Sequence, residues 1–273
     1  MHPPPRTDWA GNAHAPAGPQ ARIASLVPSL TELLFSLGLG ERVVARTGFC
    51  VHPREARRVP KVGGTKTPDL ARLRSLAPTH LVVNVDENRR EDVDAARAFV
   101  PHVIVTHPIA PTDNLRLFAL LGSVFGCESR AAALASELND SIAFARAAAA
   151  ALPPERVLYL IWRRPWMTVS RGTYVSASLA VVGWQTVPSR SRARYPELSD
   201  DARAWREAQR LLLSTEPYAF RERDAHELAA RLRKPAQLVD GEWTSWYGSR
   251  AARGLRLLAA LRTALTAERG SRR

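Results

Sequence analysis

A stretch of 25 residues without glycine or proline constrains the fold of this chain more than any other feature. It covers residues 128–152, is dominated by alanine, and is followed by two prolines starting at Pro153. Its apolar residues Leu134, Leu138 and Ile142 recur at helical spacing, which predicts one helix about 37 Å long. A helix of this length exceeds what a single small sheet needs, so it suits a connection between two lobes.

Strand-like and helix-like segments alternate on both sides of this helix. Before it, the strand-like runs are RIASL, RVVART, HLVVNV and HVIVTH, and after it they are VLYLIW, WMTVS, LLLS and QLVD. This alternation predicts an α/β fold of two lobes, each with a mainly parallel sheet flanked by helices. The predicted organisation is a disordered tail over 1–20, an N-terminal lobe over 21–127, the linking helix over 128–152, a C-terminal lobe over 153–268 and a basic tail over 269–273.

Two helix starts are predicted from local residue patterns. Ser29 and Glu32 have the spacing of a capping box directly after Pro28. Thr67 precedes a proline and an aspartate, which is the pattern of an N-cap with proline at the first helical position.

The first twenty residues predict where the chain works. They are rich in proline, alanine and glycine, and they lack the apolar run of a secretory signal. We therefore expect a disordered tail and a cytoplasmic protein. No stretch approaches the roughly 18 to 20 apolar residues of a membrane span, so no membrane insertion is expected.

The formal net charge of +13 raises the question of a nucleic-acid partner. Lysine occurs only at positions 61, 66 and 234, so arginine supplies almost all of the basic residues, and these are scattered along the chain. We therefore expect no nucleic-acid partner. The arginines after residue 250 form the one basic cluster, and a regulatory contact with an acidic partner stays open there.

Groups with catalytic or metal-binding spacing are hard to find in the sequence. The seven histidines form no metal-binding pattern, and two distant cysteines suggest structural thiols. We expect no metal site, no catalytic cofactor and no enzymatic activity. The enzyme alternative would use Cys50 with His52, or His107 with Asp113, but neither pair has an orienting third group at a recognisable spacing.

Tryptophans concentrate in two short loop segments of the second lobe. Trp162 and Trp166 lie in IWRRPWMTVS, and Trp243 and Trp246 lie in DGEWTSWYGSR. Ligands of α/β proteins bind at loops beyond the strand ends, and flat aromatic walls suit a flat, largely apolar ligand. These segments therefore predict a small-molecule site.

Several segments together resemble a known family. The opening RIASLVPSLTELL, the following PKVGG, the strand LAPTHLVV, and the later RYPELS and EWTSWYGSR are similar to the cobalamin and iron-siderophore periplasmic-binding proteins, the helical-backbone metal receptors. The resemblance covers about residues 22–268 and is greatest to the cobalamin-binding branch. It implies a class III periplasmic-binding-protein-like fold, a shallow cleft between the lobes, and non-catalytic ligand binding.

The resemblance implies a set of ligand-binding residues, which loop position and side-chain chemistry extend. Those implied by the resemblance are Phe49, Thr65, Trp166, Tyr195, Glu242 and Trp243. Those added from loop position are Lys66, Glu87, Asn88, Trp162, Tyr218 and Trp246. Exported members dock on the permease of an ABC transporter through an acid on each lobe. Ala71 stands at the first of these positions and Asp201 at the second, which argues against permease docking.

Two ligand classes fit the resemblance. A corrinoid such as cobalamin carries neutral amides and needs aromatic faces, whereas many ferric siderophores are anionic and need basic residues. Residues at the predicted rim offer both, and those with basic side chains are Arg46, Lys66, Arg89, Arg163 and Arg164. The corrinoid is favoured if these cations are not directed at the ligand; a ferric siderophore or another metal chelate is the alternative.

Overall fold

The computed structural model describes residues 6–271, and the side chains up to residue 268. Its chain divides into two compact units. Unit 1 contains the residues up to Pro108, Thr112–Glu137 and Tyr247–Ser249, and unit 2 contains Ile109–Pro111, Leu138–Trp246 and the residues from Arg250 onward.

Unit 1 is built on a four-stranded parallel sheet in the order β2-β1-β3-β4. Its strands are β1 (Ile23–Ser25), β2 (Val43–Arg46), β3 (His80–Asn84) and β4 (His102–Thr106). Its helices are α1 (Pro28–Ser36), α2 (Leu70–Ser75), α3 (Arg90–Ala96) and α4 (Asp113–Phe125). All five residues of β3 are buried, as expected for a central parallel strand that is covered on both faces.

The predicted helix starts are shifted in the structure. Helix α1 has Val27 as its N-cap and Pro28 in its first turn, so Ser29 lies inside the helix and the predicted capping box is wrong. Helix α2 is capped by Asp69, whose carboxylate accepts a hydrogen bond from the backbone N–H of Arg72 at 2.9 Å, and not by Thr67. In both cases the pattern identified the helix but misplaced the cap by two residues.

The long helix α5 runs over Glu128–Ala150, and Pro153 follows its end. The boundary between the two compact units lies within this helix, between Glu137 and Leu138.

Unit 2 is built on a mixed six-stranded sheet. Its strands are β5 (Glu155–Trp162), β6 (Trp166–Thr168), β7 (Trp184–Thr186), β8 (Glu197–Leu198), β9 (Arg210–Ser214) and β10 (Ala236–Val239). Strands β7, β9 and β10 run parallel to β5, while β6 is antiparallel to both β5 and β8. Its helices are α6 (Tyr174–Val181), α7 (Arg203–Glu207), α8 (Glu222–Leu232), α9 (Gly241–Ser245) and α10 (Arg250–Ser271). The predicted α/β class is thus confirmed.

A buried charge cluster fastens α10 to the sheet of unit 2. The carboxylate of Glu155 on β5 accepts hydrogen bonds from Trp184 Nε1 at 2.9 Å, Arg210 Nε at 3.2 Å and Arg262 Nη1 at 2.9 Å. Glu155, Arg210 and Arg262 are each at most 5% exposed. A buried carboxylate needs such partners, because burial without them is costly.

The segment over residues 6–20 differs from the expected disordered tail. Asp8 is 1% exposed, and its carboxylate accepts hydrogen bonds from the backbone N–H groups of Val105 and Asn12 while also lying 3.1 Å from His14 Nε2. Trp9 donates its backbone N–H to Val105 on β4, whose outer edge is otherwise open. These polar bonds order a segment with few apolar residues. The first five residues of the expected tail lie outside the described residues.

The C-terminal basic tail expected over 269–273 also differs, because the backbone of α10 continues to Ser271. Residues 272 and 273 lie outside the described part of the chain. Within residues 6–271, no helix has both the length and the apolar character needed to cross a membrane.

Candidate functional site

Three of the predicted site residues of unit 1 lie in loops near the carboxyl ends of its strands. Phe49 follows β2 and is 66% exposed. Its ring lies beside Gly64, so that a Cβ at Gly64 would be 3.7 Å from Phe49 Cε2. Thr65 is half-buried, and the Nζ of exposed Lys66 donates to the backbone carbonyl of Asp86 at 2.6 Å. Phe49 therefore presents a large exposed apolar side chain at this edge of unit 1, while the ammonium of Lys66 is already hydrogen-bonded.

Asn88 fastens the loops of unit 1 together. It is 7% exposed, and its amide Nδ2 donates to the carbonyls of Thr65 at 3.1 Å and Leu26 at 3.3 Å. Its Oδ1 accepts from the backbone N–H of Asn84 at 2.9 Å. The structure thus gives Asn88 a positioning role for the loops after β1 and β3, in place of an exposed amide.

Glu87 binds the segment Tyr247–Ser249, which belongs to unit 1 although the residues before and after it belong to unit 2. Its Oε1 accepts a hydrogen bond from the Tyr247 hydroxyl at 2.6 Å. Burial and the neighbouring Glu87 charge raise the pKa of Tyr247 well above its ordinary value. The next residue, Gly248, donates its N–H to Asn114 Oδ1 at 2.6 Å and has a φ of +89°, which favours glycine.

Unit 2 brings three of its predicted aromatic residues into one continuous row. Trp162, at the end of β5, packs edge-on against Tyr218 with ring centroids 5.5 Å apart, and Tyr218 lies 4.6 Å from Phe220. Phe220 stacks on Trp166 at 6.2 Å, and Trp166 meets Trp205 edge-on at 5.6 Å. We call these five side chains the aromatic row. Phe220 and Trp205 were not predicted as site residues from the sequence. Phe220 could have been found from its spacing, because it lies two residues after Tyr218 in the segment YAF.

The inner end of the aromatic row belongs to the core, whereas its outer end reaches the surface. Trp205 and Phe220 are buried among the core residues of unit 2, while Trp166 and Tyr218 are half-buried. Trp162 is 39% exposed. Ring contacts to a rigid core hold such a side chain in place, which lowers the entropic cost of placing a ligand against it.

Arg163 is held beside the row by carboxylates of α8. Its Nη1 donates to Asp224 at 2.7 Å and its Nη2 to Glu227 at 3.0 Å, and its guanidinium lies 5.5 Å from the centroid of the Trp166 ring. Cation–π attraction and two ion pairs therefore fix this side chain.

A second group surrounds the short helix α9. Glu242 forms an ion pair with Arg250. Trp243 is half-buried, and α10 packs closely against it, because a Cβ at Gly254 would lie 2.6 Å from the backbone carbonyl oxygen of Trp243. Trp246 is only 8% exposed, and its Nε1 donates to Glu216 Oε1 at 2.8 Å. Trp246 thus offers little surface for a ligand.

Glu216 is the residue of this group that sequence reasoning missed. Besides Trp246, its carboxylate accepts from Ser245 Oγ at 2.8 Å. Burial raises the pKa of Glu216. A Cβ at Gly241 would lie 2.3 Å from Glu216 Cγ, so the glycine leaves the space that this carboxylate occupies.

Two further predicted positions lie apart from these rings. Tyr195 is 38% exposed, with the Arg194 guanidinium 5.9 Å from its ring centroid. Asp201 lies at the surface before α7, where the Ser199 hydroxyl donates to it at 2.5 Å and lowers its pKa. Ala71, the other docking position, is exposed on α2.

The enzyme alternative depends on Cys50 with His52, or on His107 with Asp113. Cys50 is 0% exposed, its Sγ lies 3.1 Å from Thr31 Oγ1, and burial raises the pKa of the thiol. A nucleophilic cysteine requires the opposite shift, because the thiolate is the reactive form. His107 Nε2 lies 3.6 Å from Asp86 Oδ1, a partner other than the Asp113 considered from sequence. No group of three potential metal ligands is found among the described side chains.

Two α/β units joined by a long helix, with aromatic side chains at the carboxyl ends of strands, define a class of small-molecule-binding proteins. The sequence matches the family described as periplasmic binding protein over residues 23–231. This match covers most of the chain, which therefore belongs to the periplasmic binding protein family.

Comparison with individual proteins agrees with the family. The vitamin B12-binding protein of Photorhabdus laumondii is 24% identical over 178 residues, which is 65% of this chain and 65% of that protein, so the match spans just under two thirds of the relative. The solved periplasmic vitamin B12 binding protein of Vibrio cholerae has a TM-score of 0.77 at 18% identity, covering 90% of this chain and 98% of that chain. The periplasmic heme-binding protein from Roseiflexus sp. RS-1 has a TM-score of 0.76 at 23% identity, covering 90% and 99%. At such identities the structural similarity shows the fold.

The comparisons correct the expected location. We expected a cytoplasmic protein from the composition of the first twenty residues. The matched family is one of periplasmic binding proteins, and the two solved structures are named as periplasmic, so the cytoplasmic assignment is wrong.

Proposed function

We propose that this protein binds a corrinoid of the cobalamin type without transforming it, and that the aromatic row of unit 2 supplies a principal contact surface. The observation that carries this proposal is the row itself, which runs from buried Trp205 to Trp162 at 39% exposure. Proteins of this family are non-catalytic substrate-binding proteins, and the named relatives bind vitamin B12 or heme.

The charges near the predicted rim support the corrinoid over an anionic chelate. Arg46 is 8% exposed and donates to the backbone carbonyls of Thr47, Ala56 and Arg57. Lys66 is bonded to a carbonyl, and Arg163 is paired with two carboxylates of α8. Burial restricts the access of a ligand to Arg46, and two carboxylates compensate the charge of Arg163, so of these three cations only the exposed Lys66 keeps its charge available. A ligand with neutral amides and a broad apolar face fits such a surface better than a polyanion does.

Two further basic residues of the predicted rim are Arg89 and Arg164. Arg89 lies 3.5 Å from Asp92, and Arg164 is exposed. Lys66 and Arg164 are therefore the rim cations through which an anionic ferric siderophore, the alternative ligand, would gain most.

The test is titration of the purified protein with cyanocobalamin, hemin and the anionic siderophore complex ferric enterobactin in parallel, followed by visible absorbance and by the melting temperature. At a hundredfold excess over Kd, a ligand should stabilise the folded protein by about 2.7 kcal/mol. Cyanocobalamin should bind saturably. Saturable binding of hemin or ferric enterobactin alone would assign another metal chelate, and binding of none of the three would refute the proposal.

The matched variants are Trp162→Ala and Phe144→Ala. The exposed 39% of Trp162 corresponds to about 100 Å², and covering this area stabilises a complex by about 2.5 kcal/mol. We therefore expect Trp162→Ala to weaken cyanocobalamin binding by up to roughly 70-fold. Phe144 on α5 is 49% exposed but lies outside the row, so its removal should leave the affinity unchanged.

A further inference from the structure

A cavity of about 330 Å³ opens on unit 2 beside the first residues of β5. Three arginines line it, namely Arg156 on β5, Arg171 after β6 and Arg203 on α7. The one acidic residue in its lining is Glu207, at the end of α7. Cavities of this volume hold small molecules, and three guanidinium groups favour an anion.

The positive charge of this cavity is only partly compensated. Glu207 Oε1 lies 2.6 Å from Arg203 Nε, so this carboxylate compensates the charge of one of the three guanidinium groups. Arg156 donates its Nε to the backbone carbonyl of Glu207 at 3.0 Å, and neither of its Nη atoms has a hydrogen-bond acceptor among residues 6–271. Arg171 is exposed and has no hydrogen bond or ion pair with any described residue. Two forked donors are therefore available for an external acceptor.

Lys234 adds to the local positive charge. Its ammonium donates to the carbonyls of Trp205 at 2.7 Å and Ala208 at 2.5 Å, where it closes the C-terminal end of α7. Burial, and then the charge of Arg156, lower the pKa of Lys234. The two cations are thus close enough to repel each other, and an anion placed beside Arg156 would relieve that repulsion.

This cavity is distinct from the aromatic row. Arg156 and Trp162 lie near opposite ends of β5, six residues apart, which corresponds to about 20 Å along a strand. The other residues lining the cavity are polar except for the buried Val187, and they include the exposed side chains of Gln185 and Ser189.

We propose that this arginine-lined cavity is a second binding site, which takes a compact phosphate-bearing anion with at least two negative charges. Arg156 and Arg171 form paired N–H···O bonds to its oxygens, while Gln185 and Ser189 add neutral donors. The site is independent of the ligand assigned to the aromatic row.

The experiment is calorimetric titration of the protein with inorganic pyrophosphate at an ionic strength of about 0.15 M, where diffuse attraction is screened. The variant Arg156→Gln/Arg171→Gln should lose at least tenfold in affinity, because two charged hydrogen-bond donors are removed. The control Arg90→Gln/Arg253→Gln removes the same charge from exposed positions outside the cavity and should bind like the wild type. If the pocket variant melts at a lower temperature, Arg171→Gln alone replaces it, since Arg171 has no described partner to lose.

Lipid headgroups with a phosphomonoester, as in phosphatidic acid, present the same chemistry, and a second arm distinguishes that source. Phosphatidylcholine vesicles with and without phosphatidic acid are sedimented with the same three proteins. Vesicle binding that is lost only in the pocket variant, without pyrophosphate binding, assigns the phosphate to a lipid. Equal weakening in the pocket and control variants, or no saturable binding of either probe by the wild type, overturns the proposal.

Discussion

Replacing Glu155 by glutamine tests the buried charge cluster of unit 2. The substitution keeps the shape of the side chain but removes the negative charge that faces Arg210 and Arg262, both of which are at most 5% exposed. It also replaces one acceptor oxygen by a donor. Removing one member of a buried ion pair typically costs 3–5 kcal/mol, and because glutamine keeps one acceptor we expect about 3 kcal/mol.

This loss should be visible in the thermal unfolding of the protein. For units of this size, 1 kcal/mol corresponds to roughly 2–4 °C, so Glu155→Gln should lower the melting temperature by about 10 °C. Calorimetry is the appropriate assay because the two units can unfold in separate transitions, and only the transition of unit 2 should move.

The matched control is Glu91→Gln, which makes the same chemical change at a side chain that is 75% exposed and 3.7 Å from Arg89. Exposed ion pairs contribute 0–1 kcal/mol, so this variant should melt close to the wild type. If Glu155→Gln also melts within about 2 °C of the wild type, the cluster contributes no more than an exposed pair and the reasoning fails.

Three further substitutions probe individual contacts. Tyr247→Phe removes the hydrogen bond to Glu87 and should cost about 1–2 kcal/mol, measured by denaturant unfolding; an unchanged midpoint would contradict this. Burial raises the pKa of Glu216, so the folded protein favours the protonated carboxyl. The stability that this carboxyl contributes is fully present below pH 4.5, its ordinary pKa, and is lost as the pH rises through the raised pKa. Glu216→Gln should therefore gain melting temperature relative to the wild type between pH 4 and pH 7, and a constant difference would argue against it. Phe49→Ala should weaken cyanocobalamin binding several-fold without changing the melting temperature, since the ring is 66% exposed; equal affinity would exclude Phe49 from the site.

Much of the fold follows from residue periodicity. The short β-branched runs became strands, and the stretch without glycine or proline became α5. The ordered segment around Asp8 did not follow, because its partners, such as Val105, lie about a hundred residues away in the chain. Polar composition predicts disorder only where such distant hydrogen-bond partners are absent.

For the candidate site, the sequence predicted aromatic residues but gave no prediction of how exposed each one is. Sequence placed Trp162 and Trp246 in similar polar loops, and the structure leaves the first 39% exposed and the second 8% exposed. Trp246 donates its Nε1 to the carboxylate of Glu216, and the guanidinium of Arg250 lies 4.7 Å from its ring centroid. Such pairings depend on tertiary packing, which a local pattern does not contain.

The assignment of Tyr247–Ser249 to unit 1 has a consequence for synthesis on the ribosome. Unit 1 is otherwise complete at Glu137, yet the hydrogen bonds from Tyr247 to Glu87 and from Gly248 to Asn114 form only when residues 247–249 have been made. The first unit can therefore reach its final stability only after nearly the whole of the second has emerged. Cleaving the chain after Glu137 would yield a fragment of unit 1 that lacks Tyr247–Ser249. Adding a short peptide that spans residues 246–250 should restore part of the stability of this fragment.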